Sequence, residues 1–439
     1  MQKICQQLVE SALALGADAA DAICTETTSI GANVYDGEVE SFTHSVMRGA
    51  GVRVIKDQRV GYAYTENPKE IASTAQAALQ SAAITDADPA ACIFEGPGIE
   101  STALPVQEMD EAAVVQAALQ LFAALKARGA VNTQGCEAET EQSRIWFANS
   151  AGISGSYGQN ASVLVAQPVA KKGDWTDSNW AFDVAETMDA LDIERTAQHA
   201  MERTMAYYGA ASIPSGKMPV VLAGEAMADL LQAFVPVFSA DQAQKGLSFL
   251  KGKEGQVIAK PDITLWDDPQ HPTLPFSTPF DGEGMPTQKK AVIDHGVLTT
   301  LLHSATTAKR ANVAPTGNAR RGYSSSVVIG PYYFYIEPGQ TEPQMLYEKA
   351  QNGVLIREVS GLHAGVNAVS GDFSLLSKGQ RIVDGQLGDP VEQIVLSGNF
   401  YALLQAVEAI GTDLYMGVPS GMCFGSPSLL VSGLSIAGQ

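Results

Sequence analysis

The chain has 439 residues, 45% of them hydrophobic and 17% charged, and a formal net charge of −20. These values describe a globular protein of two or three domains and exclude an intrinsically disordered one. The acidic balance also argues against nucleic acid as a direct ligand, because such a partner needs a concentrated basic surface. The best basic groupings are short pairs: Lys171–Lys172, Lys289–Lys290 and Arg320–Arg321.

Ile4, Leu8, Ala12 and Leu15 recur at helical spacing until Gly16, which predicts an opening helix. The texture then changes to alternation from Ala20 to Thr65. Asp36-Gly37 is a hairpin dipeptide between strands at Ile30–Tyr35 and Val39–His44. Asp57 to Arg59 separates Gly51–Ile55 from Val60–Tyr64 in the same way, and a helix begins near Pro68 and runs to about Ala83. The order repeats. An Ala-rich helix at Glu108–Arg128 precedes strand-like Ile145–Asn149, a turn at Gly152–Gly158, strand-like Ser162–Ala166 and a helix from Asp192. The two closing helices share a phrase: Glu70-Ile71-x-x-Thr74-Ala75-Gln76-x-Ala78-Leu79 and Asp192-Ile193-x-x-Thr196-Ala197-Gln198-x-Ala200-Met201. A duplicated antiparallel sheet with helices on one face is expected, an α+β arrangement.

Ile213-Pro214-Ser215-Gly216 reads as a linker, followed by a strand at Pro219–Leu222 and a helix from about Glu225. Beyond it the chain is rich in Gly, Pro and β-formers. Strands are expected at Ala291–Ile293, Val327–Ile329, Tyr332–Ile336, Val354–Val359, Phe373–Leu376, Arg381–Val383, Val391–Leu396 and Ser428–Ile436. Helices are expected near Leu302–Ala311, Glu342–Gln351 and Phe400–Ile410. The predicted division is an N-terminal α+β domain over 1–100, a related middle domain over 101–212 and a large β-rich C-terminal domain over 213–439.

The chemistry of the sequence is sparse. No His is followed by Glu and no two His sit at metal-ligand spacing, so the zinc-protease helix is missing. No G-x-S-x-G elbow, Walker loop or strand-linked G-x-G-x-x-G occurs. The five cysteines (Cys5, Cys24, Cys92, Cys136, Cys423) are odd in number, widely spaced and without C-x-x-C, which fits reduced thiols. The first residues lack the apolar run of a secretory signal. The most apolar stretch, 218–239, is interrupted by Glu225, Asp229 and Pro236 and cannot supply the roughly 20 apolar residues of a membrane span. A cytoplasmic location is expected. Three polar loops remain: Phe280-Asp281-Gly282-Glu283-Gly284, Thr316-Gly317-Asn318-Ala319-Arg320-Arg321 and Ser370-Gly371-Asp372-Phe373-Ser374. Each could meet a peptide through carboxylate, amide or guanidinium groups, or could simply be fixed by its own hydrogen bonds.

These loops, with Tyr35-Asp36-Gly37-Glu38-Val39-Glu40-Ser41, Arg48-Gly49-x-Gly51-Val52-Arg53-Val54, Gly296-Val297-Leu298, Ser304–Ala308 and Ser397-Gly398-Asn399, occur in an order that resembles the TldD/PmbA family nearly end to end. PmbA is also called TldE, and this peptidase-related group also carries the label of DNA gyrase modulators. The resemblance implies the three-segment organisation and a two-fold assembly. In the family's metal-bearing branch the helix after the strand at Pro219–Leu222 carries H-E-x-x-x-H. Placed on this chain, that motif sets Gln232 and Val237 against the two His and Ala233 against the Glu, with Pro236 disturbing the helix. A further Cys ligand falls nearest Asp413. The resemblance therefore implies no catalytic residue and no metal in this chain, with zinc only in a TldD-like partner. The implied function is the PmbA/TldE-type subunit of a metalloprotease that degrades or processes unfolded peptides, inactive alone and homodimeric when isolated. Asp281, Glu283, Asn318, Arg320 and Asp372 are the expected peptide cleft. The alternative is a peptide- or protein-binding homodimer with no protease role. A metal-independent hydrolase, the third reading, would need a reactive Ser or Cys.

Overall fold

Two long antiparallel hairpins carry the first half of the chain in the computed structural model, which describes residues 1–102, 109–272, 274–419 and 421–439. Helix α1 (Gln2–Ala14) precedes strand β1 (Ala19–Tyr35), which turns through Asp36 and Gly37 into β2 (Glu38–Lys56). Both turn residues have positive φ, 50° and 83°, the conformation that makes Asp-Gly a hairpin signal. Strand β3 (Arg59–Thr65) and helix α2 (Ile71–Ala83) complete the first half. The order recurs in α3 (Glu111–Ala127), β4 (Asn132–Asn149), β5 (Ser154–Lys172), β6 (Trp175–Ser178), β7 (Ala181–Ala185) and α4 (Ile193–Met205). Glu108, the expected start of α3, lies outside the described residues. The helix is capped by Asp110, whose carboxylate accepts from the N–H groups of Ala112 and Ala113.

The four long strands span 17 to 19 residues each, well beyond the short runs expected. Gly155 and Gly158, expected in a turn, lie inside β5. One face of the strand middles is polar (Thr25, Thr27 and Ser29 on β1; Glu137, Glu139 and Glu141 on β4), so the apolar alternation fades while backbone pairing continues.

The strands form one sheet in the order β3-β2-β1-β4-β5-β6, with β7 also paired to β5. The two halves join through β1 and β4, from Asp21 opposite Asn149 to Asn33 opposite Glu137. A domain boundary near residue 100 is therefore crossed by a continuous sheet. Without that junction each half would leave a long edge strand with unsatisfied backbone groups.

Both helix pairs lie on one face. α1 and α2 bury Leu8, Val9, Ala12, Ala75 and Ala78 against Ala20, Ala22, Val52 and Val54. α3 and α4 bury Leu121, Leu125, Ala197 and Ala200 against Ile30, Ala32, Val34 and Leu164. The repeated phrase encodes this contact. Thr74, Ala75 and Ala78 are buried in α2, as are Thr196, Ala197 and Ala200 in α4. Thr74 and Thr196 each donate to the carbonyl four residues back, Glu70 and Asp192, at 2.7 Å. The small alanines let the helix approach closely. A Cβ on Gly61 of β3 would stand 2.0 Å from the Ala78 carbonyl oxygen and 2.4 Å from the Ala82 nitrogen. Gly61→Ala is expected to lift α2 from the sheet and to cost about 1–3 kcal/mol. The check is a lowered urea midpoint with an unchanged denaturant slope.

These elements belong to the first of two units, which comprises Met1–Met205, Gln270–Gln288 and His303–Ile329. Two segments of the stretch assigned by sequence to the third domain thus belong to the first unit, and the ion pairs described below hold them there. The second unit comprises Ala206–Pro269, Lys289–Leu302 and Gly330–Gln439. Its six-stranded sheet runs Val297–Leu298, Lys290–Asp294, Leu265–Asp267, Tyr333–Ile336, Cys423–Ser426 and Tyr415–Met416. Its eight-stranded sheet centres on Val220–Leu222, Gly353–Ser360, Asp372–Val383 and Gln386–Asn399. Phe373–Leu376 and Arg381–Val383, expected as separate strands, are one. The expected helix Phe400–Ile410 divides into a helix, Phe400–Gln405, and a strand, Val407–Ile410. Among the described residues no helix is long and apolar enough to cross a membrane.

Candidate functional site

In the second unit, strand Val220–Leu222 leads into helix α5 (Gly224–Phe234), the stretch set against the family's metal motif. Ala226, Met227, Leu230, Leu231 and Phe234 form its buried face. The Phe234 ring stacks on Phe400 with centroids 4.4 Å apart and planes 13° from parallel. The α-helix stops at Phe234, and Val235–Phe238, containing Pro236, is a 3-10 turn. Proline lacks the N–H that would continue the α-helical ladder. Gln232 is exposed, Ala233 is half-buried, and Val237 is fully buried. The motif positions thus hold an amide in solvent, a methyl group and an isopropyl group in the core. Neither their chemistry nor their placement fits a zinc ion. Asp413 is also engaged: its carboxylate accepts from the Ser428 N–H at 3.2 Å and the Ser428 hydroxyl at 2.6 Å. Among the described residues no three His, Cys, Asp or Glu are grouped to hold a metal.

Asp372 also belongs to the second unit and is exposed. Its two carboxylate oxygens accept from Asn399 Nδ2 and Ser370 Oγ, each at 2.9 Å. Those bonds, Asn399 foremost, hold its carboxyl below the usual range.

Asp281, Glu283, Asn318 and Arg320 come together in the first unit. Gly284, at φ +79°, allows the Asp281–Gly284 loop to turn tightly over the sheet, where a Cβ would stand 2.3 Å from the Phe147 ring. Asp281 Oδ1 accepts from the N–H groups of Glu283 and Met285 at 2.9 and 3.0 Å, and Oδ2 accepts from Ala319 N–H at 3.0 Å. One carboxylate therefore ties the two loops together. Glu283 faces the sheet: Oε1 accepts from Arg53 Nη1 at 2.6 Å and Oε2 from Ala305 N–H at 2.8 Å. Arg53 also donates from Nε to Asp21 Oδ2 at 3.0 Å and pairs with it again through Nη2. Arg321 donates to Asp21 Oδ1 at 2.5 Å and to the Gly282 carbonyl at 2.8 Å.

Asp281, Glu283 and Asn318 are only 4, 1 and 0% exposed, so they are internal supports of the loops rather than an open polar surface. Asn318 Oδ1 accepts from the Thr316 hydroxyl at 2.7 Å. Arg320, in the short strand Ala319–Arg320, keeps partial exposure. Asp21, Arg53 and Arg321 complete the cluster and were not singled out as site residues. The available signals were a charge inside each of two apolar strand runs, Ala20–Cys24 and Gly51–Ile55, and the Arg320–Arg321 pair.

The charges set the protonation of the cluster. Burial would raise the Asp21 carboxyl, but the Arg321 and Arg53 guanidiniums outweigh it and hold that carboxyl below its ordinary range. Burial, and then the Glu283 charge, push Asp281 up to about 7 against the pull of its three backbone donors. An acid raised in the folded state holds its proton where the unfolded chain has released it. Its contribution to stability is therefore full below the ordinary carboxylate range and is lost as pH rises to about 7. Asp281→Asn removes that slope, so the variant's deficit against wild type is expected to be larger near about pH 5 than near about pH 8. Paired urea titrations at the two pH values check the sign.

The chain matches the PmbA/TldA metallopeptidase family in three consecutive pieces: domain 1 over residues 20–82, the central domain over 104–207 and the C-terminal domain over 215–438. It is 27% identical over 452 residues to "Metalloprotease PmbA" of Escherichia coli O157:H7, covering 100% of this chain and 97% of that protein. Among solved structures, a "putative modulator of a DNA gyrase" from Thermotoga maritima MSB8 superposes with a TM-score of 0.88 at 29% identity over 99% of both chains. TldE from Thermococcus kodakarensis gives 0.89 at 23% identity, over 99% of this chain and 100% of that one, a likeness of fold. The polar loops, the doubled hairpin sheet and the strand feeding α5 thus stand in a known setting, and the chain belongs to the PmbA/TldD metallopeptidase family.

Proposed function

We propose that the chain is the PmbA/TldE-type subunit of a two-component cytoplasmic protease for unfolded peptides, carrying no metal and silent without a TldD-like, zinc-bearing partner. One observation carries this reading: the helix set against the family's metal motif ends at Phe234, with Gln232 in solvent and Val237 in the core. A family fold kept without its ligand set is what a subunit needs when the chemistry resides in another chain. The loops holding Asp281, Glu283, Asn318, Arg320 and Asp372 would then serve peptide binding. The buried residues would fix loop shape, and Arg320 and Asp372 would supply contact.

The test is reconstitution. The purified chain is assayed for zinc and for cleavage of an unfolded peptide, alone and with a TldD-like partner from the same source. Sub-stoichiometric zinc and no cleavage alone, with cleavage by the mixture above that of the partner by itself, is the expected result. Stoichiometric zinc with cleavage by the chain alone overturns it. A chain that forms only homodimers and adds nothing to the partner's activity is instead the binding protein of the alternative reading.

A further inference from the structure

Cys5 of α1 and Cys24 of β1 expose no surface. Their sulfurs are 2.8 Å apart, with the Cys5 thiol donating to Cys24 Sγ and also lying 3.4 Å from the Trp146 carbonyl oxygen. The meeting follows from the two periodicities. Cys5 shares the buried face of α1 with Leu8, Val9 and Ala12, and Cys24 shares the helix-facing side of β1 with Ala20 and Ala22. The other thiols bond to oxygen: Cys136 to the Ala118 carbonyl at 3.4 Å, Cys423 to the Gly417 carbonyl at 3.1 Å, and half-buried Cys92 with the Thr306 side chain. A lone buried thiol behaves as a small apolar group. Two held sulfur to sulfur can be joined when an oxidant takes two electrons from the pair.

We infer that Cys5 and Cys24 are a reversible redox site, converted by a small peroxide into a disulfide that staples α1 to β1. In the first step one thiolate attacks a peroxide oxygen and the O–O bond breaks. The departing hydroxide takes up the thiol proton as water, and the sulfur becomes a sulfenic acid. The second thiol attacks that sulfur, the S–O bond breaks, and a second water leaves. Two thiols lose two electrons and two protons, and one hydrogen peroxide becomes two waters. A dithiol reductant reverses the reaction by exchange. Burial first, and the adjoining thiol second, push the Cys5 thiol well above its ordinary range, so the thiolate is scarce and the conversion slow. The cross-link would close a 19-residue separation and restrict the unfolded chain.

The experiment uses the full chain treated with hydrogen peroxide, alkylated, digested without reduction and read by mass spectrometry. A peptide pair joined through Cys5 and Cys24, lighter by two hydrogens than its parts, is expected. It should vanish with dithiothreitol and be absent from Cys5→Ala and Cys24→Ala. The oxidised wild type should unfold at a higher urea midpoint than the reduced form, with no such rise in either variant. The inference is overturned if Cys92 is fully oxidised while Cys5 and Cys24 both still accept the alkylating agent after unfolding. A cross-link from either residue to another cysteine, or a joined pair with no midpoint shift, overturns it equally.

Discussion

Arg53→Met is expected to destabilise the first unit by about 3–5 kcal/mol, the scale seen when one partner of a buried ion pair is removed. Arg53 is the only group in the cluster that touches both sheet-side Asp21 and loop-borne Glu283. Its removal leaves Glu283, 1% exposed, with a single backbone donor, and leaves Asp21, fully buried, with Arg321 alone. Taking the ion out of water is costly, and in the native protein that cost is offset by three charge-assisted bonds from a single guanidinium. Arg53→Lys is expected to recover only part of the loss, because a point ammonium cannot fork between two carboxylates. Lys245→Ala, which breaks an exposed pair with Asp241 in the second unit, should cost under about 1 kcal/mol. Amide exchange checks the first result locally: β1 and β2 amides around Asp21 and Arg53 should lose protection in Arg53→Met and keep it in Lys245→Ala.

What the sequence could reveal of this cluster is limited by distance along the chain. Helix α1, the Asp36-Gly37 turn and the Ala-rich helix α3 were legible because their signals are local: a spacing, a dipeptide and a run of helix-forming residues. The partners of Arg53 are not local. Glu283 lies 230 residues away, and Arg321 stands 300 residues from Asp21. Asp281 and Asn318 were legible as unusual polar residues in glycine-bearing loops. Whether they faced outward or inward depended on the sheet beneath them, which periodicity does not contain. The junction of β1 with β4 was hidden for a related reason. Its central residues, Thr27 opposite Ser143 and Ser29 opposite Glu141, carry no apolar pattern. Their pairing is enforced by backbone hydrogen bonds and by the helices on the other face. The division at Phe400–Ile410 shows the reverse error, a helical pattern continued past Gln405 although Val407–Ile410 pairs with Leu429–Val431. There, tertiary pairing outweighs local propensity.

Writing the family's metal motif back into α5, as Gln232→His with Ala233→Glu and Val237→His, is expected to yield no stoichiometric zinc and a second unit weakened by about 2–5 kcal/mol. Two imidazoles five residues apart can address one ion only if the backbone carries both toward the same point. In this chain the α-helix ends at Phe234 and the next residues wind as a 3-10 turn through Pro236. Gln232 points to solvent and Val237 into the core. A histidine at 237 would bring a larger ring and two polar nitrogens into a site that holds only an isopropyl group. Core overpacking and an unsatisfied donor each contribute. The single variant Val237→His should therefore carry most of the stability loss, and Gln232→His almost none, because that side chain stays in water. Metal analysis after equilibration with zinc, alongside urea unfolding of the single and triple variants, reads both effects. Stoichiometric zinc in a stable triple variant would show that the strand-to-helix register is right for the metal and that side-chain identity alone keeps it away. The expected loss, without metal, places the obstacle deeper, in the backbone and packing that Pro236 and Val237 impose on the end of α5.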